Sequence, residues 1–333
     1  GGVLKANAYG LGAAKVADAL YAAGCRTFFV AKPEEALALQ NLPSPRKIVI
    51  LNGFYSSYAD LYRQHDLTPV LGSFIEIESY KKLAAREGRK LSAFLKFNTR
   101  MNRLGLGAVE TEKLLADLSM LDGLQIECIM SHLACADEAN NPMNDLQYDL
   151  FKKIAVHFPY AQKSLANSAG IFRNDAYHFD LVRPGMALYG LNPTPDSANP
   201  MHAVVSVTVP VIRLRLVYKD ATVGYGATYH FEKDSWLATL SAGYADGIFR
   251  ALGNRGKFFW KGYPCPIRGR VSMDLTTVDL SAIPDKERPR PGDEMELLGP
   301  HQSADALAAD AGTIGYEILT ALGQRYRRVY TGL

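Results

Sequence analysis

Short apolar runs recur along the first part of the chain at residues 3–5, 28–31, 47–51, 67–71, 93–97, 124–132, 164–167 and 179–183. Each has the length and continuity of a strand buried on both faces. Between several of them, apolar residues return every three to four positions, as in Val16, Leu20 and Ala23 or Leu146, Leu150, Phe151 and Ile154, which is the spacing of one helix face. Strand, helix, strand is the rhythm of a parallel sheet, and eight runs are the count of a (β/α)8 barrel. The rhythm stops at residues 191–200, where proline and small polar residues predict a linker. Beyond it, residues 204–218 are rich in β-branched side chains with partial alternation, and 236–242, 257–260 and 276–280 are shorter strand candidates. One helical stretch, 303–311, has Ser303 placed to cap it. The predicted plan is α/β: a TIM-like (β/α)8 barrel over residues 1–198, then a mainly antiparallel β domain over 199–333.

Composition narrows the class. With 333 residues and 48% hydrophobic content the chain has ample material for two cores. A net charge of +3, with Lys and Arg dispersed, points away from nucleic acid and membrane surfaces and towards small-molecule chemistry. No apolar stretch reaches the roughly 20 residues of a membrane span, and nothing at the start reads as a secretory signal. Cys25, Cys128, Cys135 and Cys265 form no CxxC, as expected of reduced thiols in a cytoplasmic protein. The seven histidines include no HExxH pair, so no metal site is expected. The chain opens Gly1-Gly2-Val3 without a methionine, and upstream residues are expected to be missing.

Candidate chemistry begins at Lys5, where an apolar run ends in an amine and turns through small residues. A lysine buried beside other cations has a depressed pKa, and its neutral fraction can condense with an aldehyde such as pyridoxal phosphate. In a barrel, reactive groups stand at the carboxyl ends of the strands. Here that set comprises Lys5 and Tyr9, Lys96 and Arg103, His132, Asn167 and Ser168, and Arg183 with Gly185. The Gly10-Leu11-Gly12-Ala13-Ala14-Lys15 stretch lacks the last glycine of a dinucleotide fingerprint.

A series of segments resembles the motifs of alanine racemases. They are Lys5-Ala6-Asn7-Ala8-Tyr9-Gly10, Met101-Asn102-Arg103-Leu104-Gly105, Ser131-His132-Leu133-Ala134-Cys135-Ala136-Asp137, Ala166-Asn167-Ser168-Ala169 and Arg183-Pro184-Gly185-Met186-Ala187-Leu188-Tyr189-Gly190. Further on come Gly224-Tyr225-Gly226-Ala227-Thr228-Tyr229, Gly243-Tyr244-Ala245-Asp246-Gly247, Ser272-Met273-Asp274 and Gly315-Tyr316-Glu317. All stand in family order across nearly the whole chain.

The resemblance implies fold-type III pyridoxal phosphate chemistry, interconversion of L- and D-alanine, and a head-to-tail homodimer. It implies that Lys5 holds the cofactor covalently and then acts as base on one face of the substrate Cα. Tyr225, delivered from the partner subunit, matches the second base. A free phenol has a pKa near ~10 and needs tuning by its surroundings; the family's chain of tyrosine, histidine and arginine falls on Tyr225, His132 and Arg183. Arg183 would donate a hydrogen bond to the pyridine nitrogen, since a guanidinium cannot accept the ring's proton. The ring is then a weaker electron sink, which favours proton transfer over other bond cleavages.

Phosphate donors fall on the hydroxyls of Tyr9, Ser168 and Tyr316 and the amides of Gly185 and Met186. Arg103 matches a residue that bonds the cofactor's phenolic oxygen and the substrate carboxylate, the Met273 amide a further carboxylate donor, and Tyr244 a narrow gate. Asp274 reads as a structural partner near the entrance. Lys96 matches a lysine carbamylated in some members, although Asn98 stands where Asp, and Arg100 where Gly, is expected. Rival readings are a racemase of another small or basic amino acid, a fold-type III decarboxylase, which is expected to carry a carboxylate where Arg183 stands, and a non-catalytic pyridoxal phosphate carrier, in which the second domain has no purpose.

Overall fold

The computed structural model describes residues 1–332 and divides the chain into two compact units. The first comprises Gly1–Leu188 with Asn192–Pro200, the second Tyr189–Leu191 with Met201–Leu333. The proline-rich stretch stays with the first unit, where Asp196 accepts from Arg173 Nη2 at 2.8 Å.

The first unit is a curled parallel sheet of seven strands in sequential order. The strands are β1 (Gly2–Val3), β2 (Thr27–Val30), β3 (Lys47–Ile50), β4 (Leu67–Leu71), β5 (Leu91–Lys96), β6 (Leu124–Met130) and β7 (Gln162–Ser164). Apolar runs form most of these strands because both faces are covered: all of β4 is buried, and Phe28, Phe29, Ile50, Leu71, Phe94 and Leu95 have under 2% of their surface exposed; β7 is polar Gln162-Lys163-Ser164 and ends where the expected run 164–167 begins. Helices cross between strands with ordinary punctuation. Phe74–Glu87, for example, starts at Ser73, whose Oγ accepts from the Glu76 amide, and stops at Gly88 in the left-handed conformation (φ +63°).

The eighth run is not a strand. Phe179 turns through positive φ (+47°), Pro184 has no N–H to give a ladder, and a single bridge pairs Asn167 with Arg183. The segment nonetheless bonds to both edges of the sheet: Leu181 N to Lys163 O at 3.1 Å and Arg183 N to Ala166 O at 3.0 Å on one side, Val3 N to Pro184 O at 3.0 Å on the other. An irregular stave thus closes the barrel where an eighth strand was expected.

The second unit is antiparallel, as its alternation predicts. Its strands are β8 (Val207–Val217), β9 (Thr222–Val223), β10 (Tyr229–His230), β11 (Ser235–Leu240), β12 (Lys257–Trp260), β13 (Tyr263–Pro266), β14 (Thr276–Asp279) and β15 (Glu294–Leu298). Six of them form a sheet in the order β13-β12-β15-β8-β11-β14, and β9 pairs with β10. Ser303 caps the helix Ala304–Ala311 through the Ala306 amide at 3.1 Å. Among the described residues no helix is long and apolar enough to cross a membrane, and no cluster of His, Cys, Asp and Glu could hold a metal ion.

Candidate active site

Lys5 leaves the end of β1 on an unusual turn. Ala6, Asn7, Ala8 and Tyr9 all have positive φ between +53° and +55°, so the chain makes one left-handed helical turn before the helix Ala13–Ala22 begins. For residues with a Cβ this conformation costs about 1–2 kcal/mol each. Side-chain and backbone bonds offset it: Asn7 Oδ1 accepts from Ala13 N at 2.8 Å, Ala8 N reaches Leu4 O at 2.8 Å and Gly12 N reaches Asn7 O at 2.9 Å. The turn leaves Lys5 open at the barrel mouth while Leu4 and Ala8 are fully buried.

Arg183, only 4% exposed, is the centre of the site. Its Nη1 donates to Ser164 Oγ, and its Nη2 to the carbonyls of Ser131 and Leu165 and, at 3.4 Å, to Nδ1 of His132. Burial lowers the guanidinium to about 10, which leaves it charged at neutral pH. Burial, then Arg183, Lys96, Arg103 and Lys5, hold His132 well below the ordinary histidine range, so the imidazole is neutral. With Nδ1 accepting from Arg183, its proton sits on Nε2. Lys96 is pushed down to about 8 by burial, then by Arg183, Arg103 and Lys5, with Glu76 opposing. Lys5 is lowered by the protein mass around the amine and by Arg103, and raised by Glu35. These groups therefore form one cationic cluster that favours neutral amines.

Beside it, two backbone amides meet a buried hydroxyl. Ser168 Oγ accepts from the amides of Gly185 at 2.9 Å and Ala187 at 3.3 Å, and with both lone pairs engaged its own proton points elsewhere. A Cβ at Gly185 would come within 2.5 Å of the Tyr9 hydroxyl, so glycine is what lets the tyrosine reach this backbone. Ser168 thus engages the Gly185 amide that was expected to face a phosphate. Met186 opens the following single turn, Met186–Tyr189.

The turn after β5 explains one of the two departures from the expected motif and not the other. Asn98 Oδ1 accepts from Asn102 N at 2.9 Å while its Nδ2 donates to Asn102 Oδ1 at 2.8 Å, a pairing that an aspartate could make only by half. Arg100 occupies the left-handed region (φ +79°) where a glycine would be unstrained.

The second unit presents its candidates on neighbouring loops. Tyr225 is 74% exposed and opens the short turn Tyr225–Ala227, flanked by Gly224 and Gly226 at positive φ. Tyr244 and Met273 are also exposed, and their loops are laced by Tyr244 N to Ser272 O at 2.9 Å and Ala245 N to Met273 O at 3.0 Å. Asp274 bonds Arg325 Nη1 at 2.7 Å, and Arg325 grips Asp246 through Nε and Nη2, both at 2.7 Å. Tyr316 lies half-buried on the helix Gly315–Thr320.

Sequence reasoning missed Arg325, which ties the Tyr244 and Met273 loops together, and Gln147. Fully buried, Gln147 accepts from Ala134 N at 2.8 Å and donates to Thr99 O at 2.8 Å and His132 O at 2.9 Å. One side chain thereby fixes the loops after β5 and β6. The only sequence signal was a polar residue on the apolar stripe of the helix Met143–Ala155.

A barrel whose strand ends gather a depressed lysine amine, a buried arginine and a hydroxyl joined to backbone amides, followed by a β domain with exposed tyrosines, is the plan of a two-domain barrel enzyme. Family models agree: "Alanine racemase, N-terminal domain" matches residues 1–193 and "Alanine racemase, C-terminal domain" residues 204–330. The chain belongs to the alanine racemase family. It is 47% identical to an alanine racemase of Acidiphilium cryptum over 98% of this chain and 91% of that one. It is 47% identical to one of Rhodospirillum rubrum over 100% and 89%. The crystal structure of alanine racemase from Bartonella henselae with covalently bound pyridoxal phosphate superposes with a TM-score of 0.94, at 43% identity, covering 99% of this chain and 91% of that one.

Proposed function

We propose that this chain interconverts L- and D-alanine with pyridoxal phosphate as cofactor. The observation that carries the reading is the buried, charged Arg183 bonded to a neutral His132 within the cluster that depresses Lys5. The residues that would hold the cofactor's phosphate are Ser168, whose hydroxyl proton is turned away from the Gly185 and Ala187 amides, and Tyr9, which the missing Cβ at Gly185 admits, together in this reading with the Met186 amide, Tyr316 and the Gly185 amide once Ser168 releases it. When bound, pyridoxal phosphate withdraws electrons from the substrate and makes its α-hydrogen acidic.

The chain's own groups do the rest. Lys5 would hold the cofactor through its amine and would move a proton on one face of Cα. Tyr225 moves a proton on the opposite face. His132, with its proton on Nε2, donates to the phenol oxygen, and Arg183 steadies the imidazole. Arg103 and the Met273 amide hold the substrate carboxylate, and Tyr244 narrows the approach to favour a small side chain. Arg183, which can only donate, would hold the cofactor's ring nitrogen without taking up its proton, an arrangement that would favour proton transfer over other bond cleavages.

Tyr225 is delivered by a second copy of the chain in a head-to-tail dimer. Its exposure, and that of Ile212, Leu216 and Tyr218 on and just beyond β8, suit a surface that a second copy covers. The four free cysteines suit the cytosol, where thiols stay reduced. Incubation with L-alanine and pyridoxal phosphate, followed by chiral chromatography, is expected to give D-alanine until the enantiomers are equal. Carbon dioxide release, or bound cofactor without turnover, would contradict the reading.

A further inference from the structure

The left-handed turn after Lys5 leaves the Ala6 amide directed away from the turn's own carbonyls. Glu35, on the short 3₁₀ helix Pro33–Leu39, receives it: Oε1 accepts from Ala6 N at 2.8 Å. The other oxygen, Oε2, accepts from Ala31 N at 2.7 Å and Lys32 N at 3.3 Å, just past the end of β2. One carboxylate therefore joins the ends of β1 and β2 through three amides. Both oxygens must accept, which a carboxylate can do and a carboxamide cannot.

We propose that Glu35 is the positioning residue of Lys5: it holds the strained turn that aims the amine out of the barrel mouth, and it supplies the negative charge that balances Arg103 there. The proposal rests on Lys5 being the amine that binds the aldehyde. Burial and Arg103 push the amine towards its neutral form, and Glu35 acts in the opposite direction. The same residue thus serves geometry and charge together, and the two effects separate by substitution. Glu35→Gln removes the charge and sets an NH2 against a backbone N–H. Glu35→Asp keeps the charge but is one methylene too short to span both strand ends.

The test uses the full chain freed of bound aldehyde with hydroxylamine. Pyridoxal phosphate is added across a pH series, the covalent adduct is trapped with borohydride, and the labelled residue is located by mass spectrometry. Glu35→Gln is expected to lower the pH of half-maximal labelling by about one unit, because loss of a nearby negative charge favours the neutral amine. It is also expected to slow labelling at the plateau several-fold. Glu35→Asp is expected to keep the half-point and lose the plateau rate, and it decides the geometric part alone if the Gln variant does not fold. Profiles and plateaus like those of the parent would overturn the proposal. Undiminished labelling in Lys5→Ala would instead overturn the functional reading, so the two failures are told apart.

Discussion

A lysine amine walled into a barrel is caught between its charge and its lack of solvent, and Lys96 shows this most clearly. It is 8% exposed, faces Arg183, Arg103 and Lys5, and titrates at about 8 against an ordinary 10.5. Below about pH 8 it is charged in both the folded and unfolded chain, and the penalty of burial is present in full. As pH rises towards 10.5 the folded amine is already neutral while the unfolded chain still holds the proton, so stability rises. Lys96→Met is therefore expected to stabilise the cofactor-free chain at pH 7 by up to roughly 3 kcal/mol. The gain should fade near pH 10.5, as urea unfolding at the two pH values will show. A carbamylated Lys96 would be an anion among cations, and its removal would destabilise the chain. The same measurement therefore reads whether Lys96 is carbamylated.

At the scale of elements, the site depends on how strand ends are joined. Gln147 reaches from a helix to three backbone groups on two loops. Gln147→Leu would leave the buried Thr99 carbonyl and the partly buried Ala134 N–H and His132 carbonyl without this partner. At roughly 1–3 kcal/mol for a buried group left unpaired, and less for the two that are partly buried, this variant is expected to lose at least ~1 kcal/mol in urea unfolding. A loss under ~0.5 kcal/mol, the range of ordinary surface substitutions, would contradict the role given to Gln147.

What the sequence revealed at this scale follows from what patterning encodes. The first six strands showed within apolar runs, whereas β7, polar Gln162-Lys163-Ser164, meets the predicted run 164–167 only at Ser164. The eighth run was apolar too, yet Phe179 and Pro184 deny it a ladder. The left-handed turn at residues 6–9 was invisible, since alanine and asparagine carry no signal for four successive positive φ values. The short β9 and β10, proline-bearing β13 and β15 escaped because two to five residues give little periodicity.

For the whole molecule, the candidate reactive groups were legible in the sequence and the side chains that hold their loops were not. Lys5, Arg183 and His132 stood out as reactive types at strand ends, and the motif resemblance supplied the second unit's tyrosines. Glu35, Gln147 and Arg325 act through amides, carbonyls or neighbouring carboxylates from distant positions, so no spacing announced them. The proposed dimer makes its own prediction. Lys5→Ala and Tyr225→Phe, each inactive alone, should regain roughly a quarter of parental activity when unfolded together and reassembled. Random pairing makes half the dimers mixed, and each mixed dimer has one complete site if the two groups come from different copies. No recovery would place both groups in one subunit.

The most direct test of the two-base reading is Tyr225→Phe incubated separately with each enantiomer of alanine in deuterium oxide. With Lys5 intact on one face and the phenol removed from the other, one enantiomer should exchange its α-hydrogen for deuterium with retention. The other should stay unlabelled, and inversion should fall about 10²–10⁴-fold, the usual contribution of a positioned acid or base. Inversion at the parental rate in both directions would contradict the account.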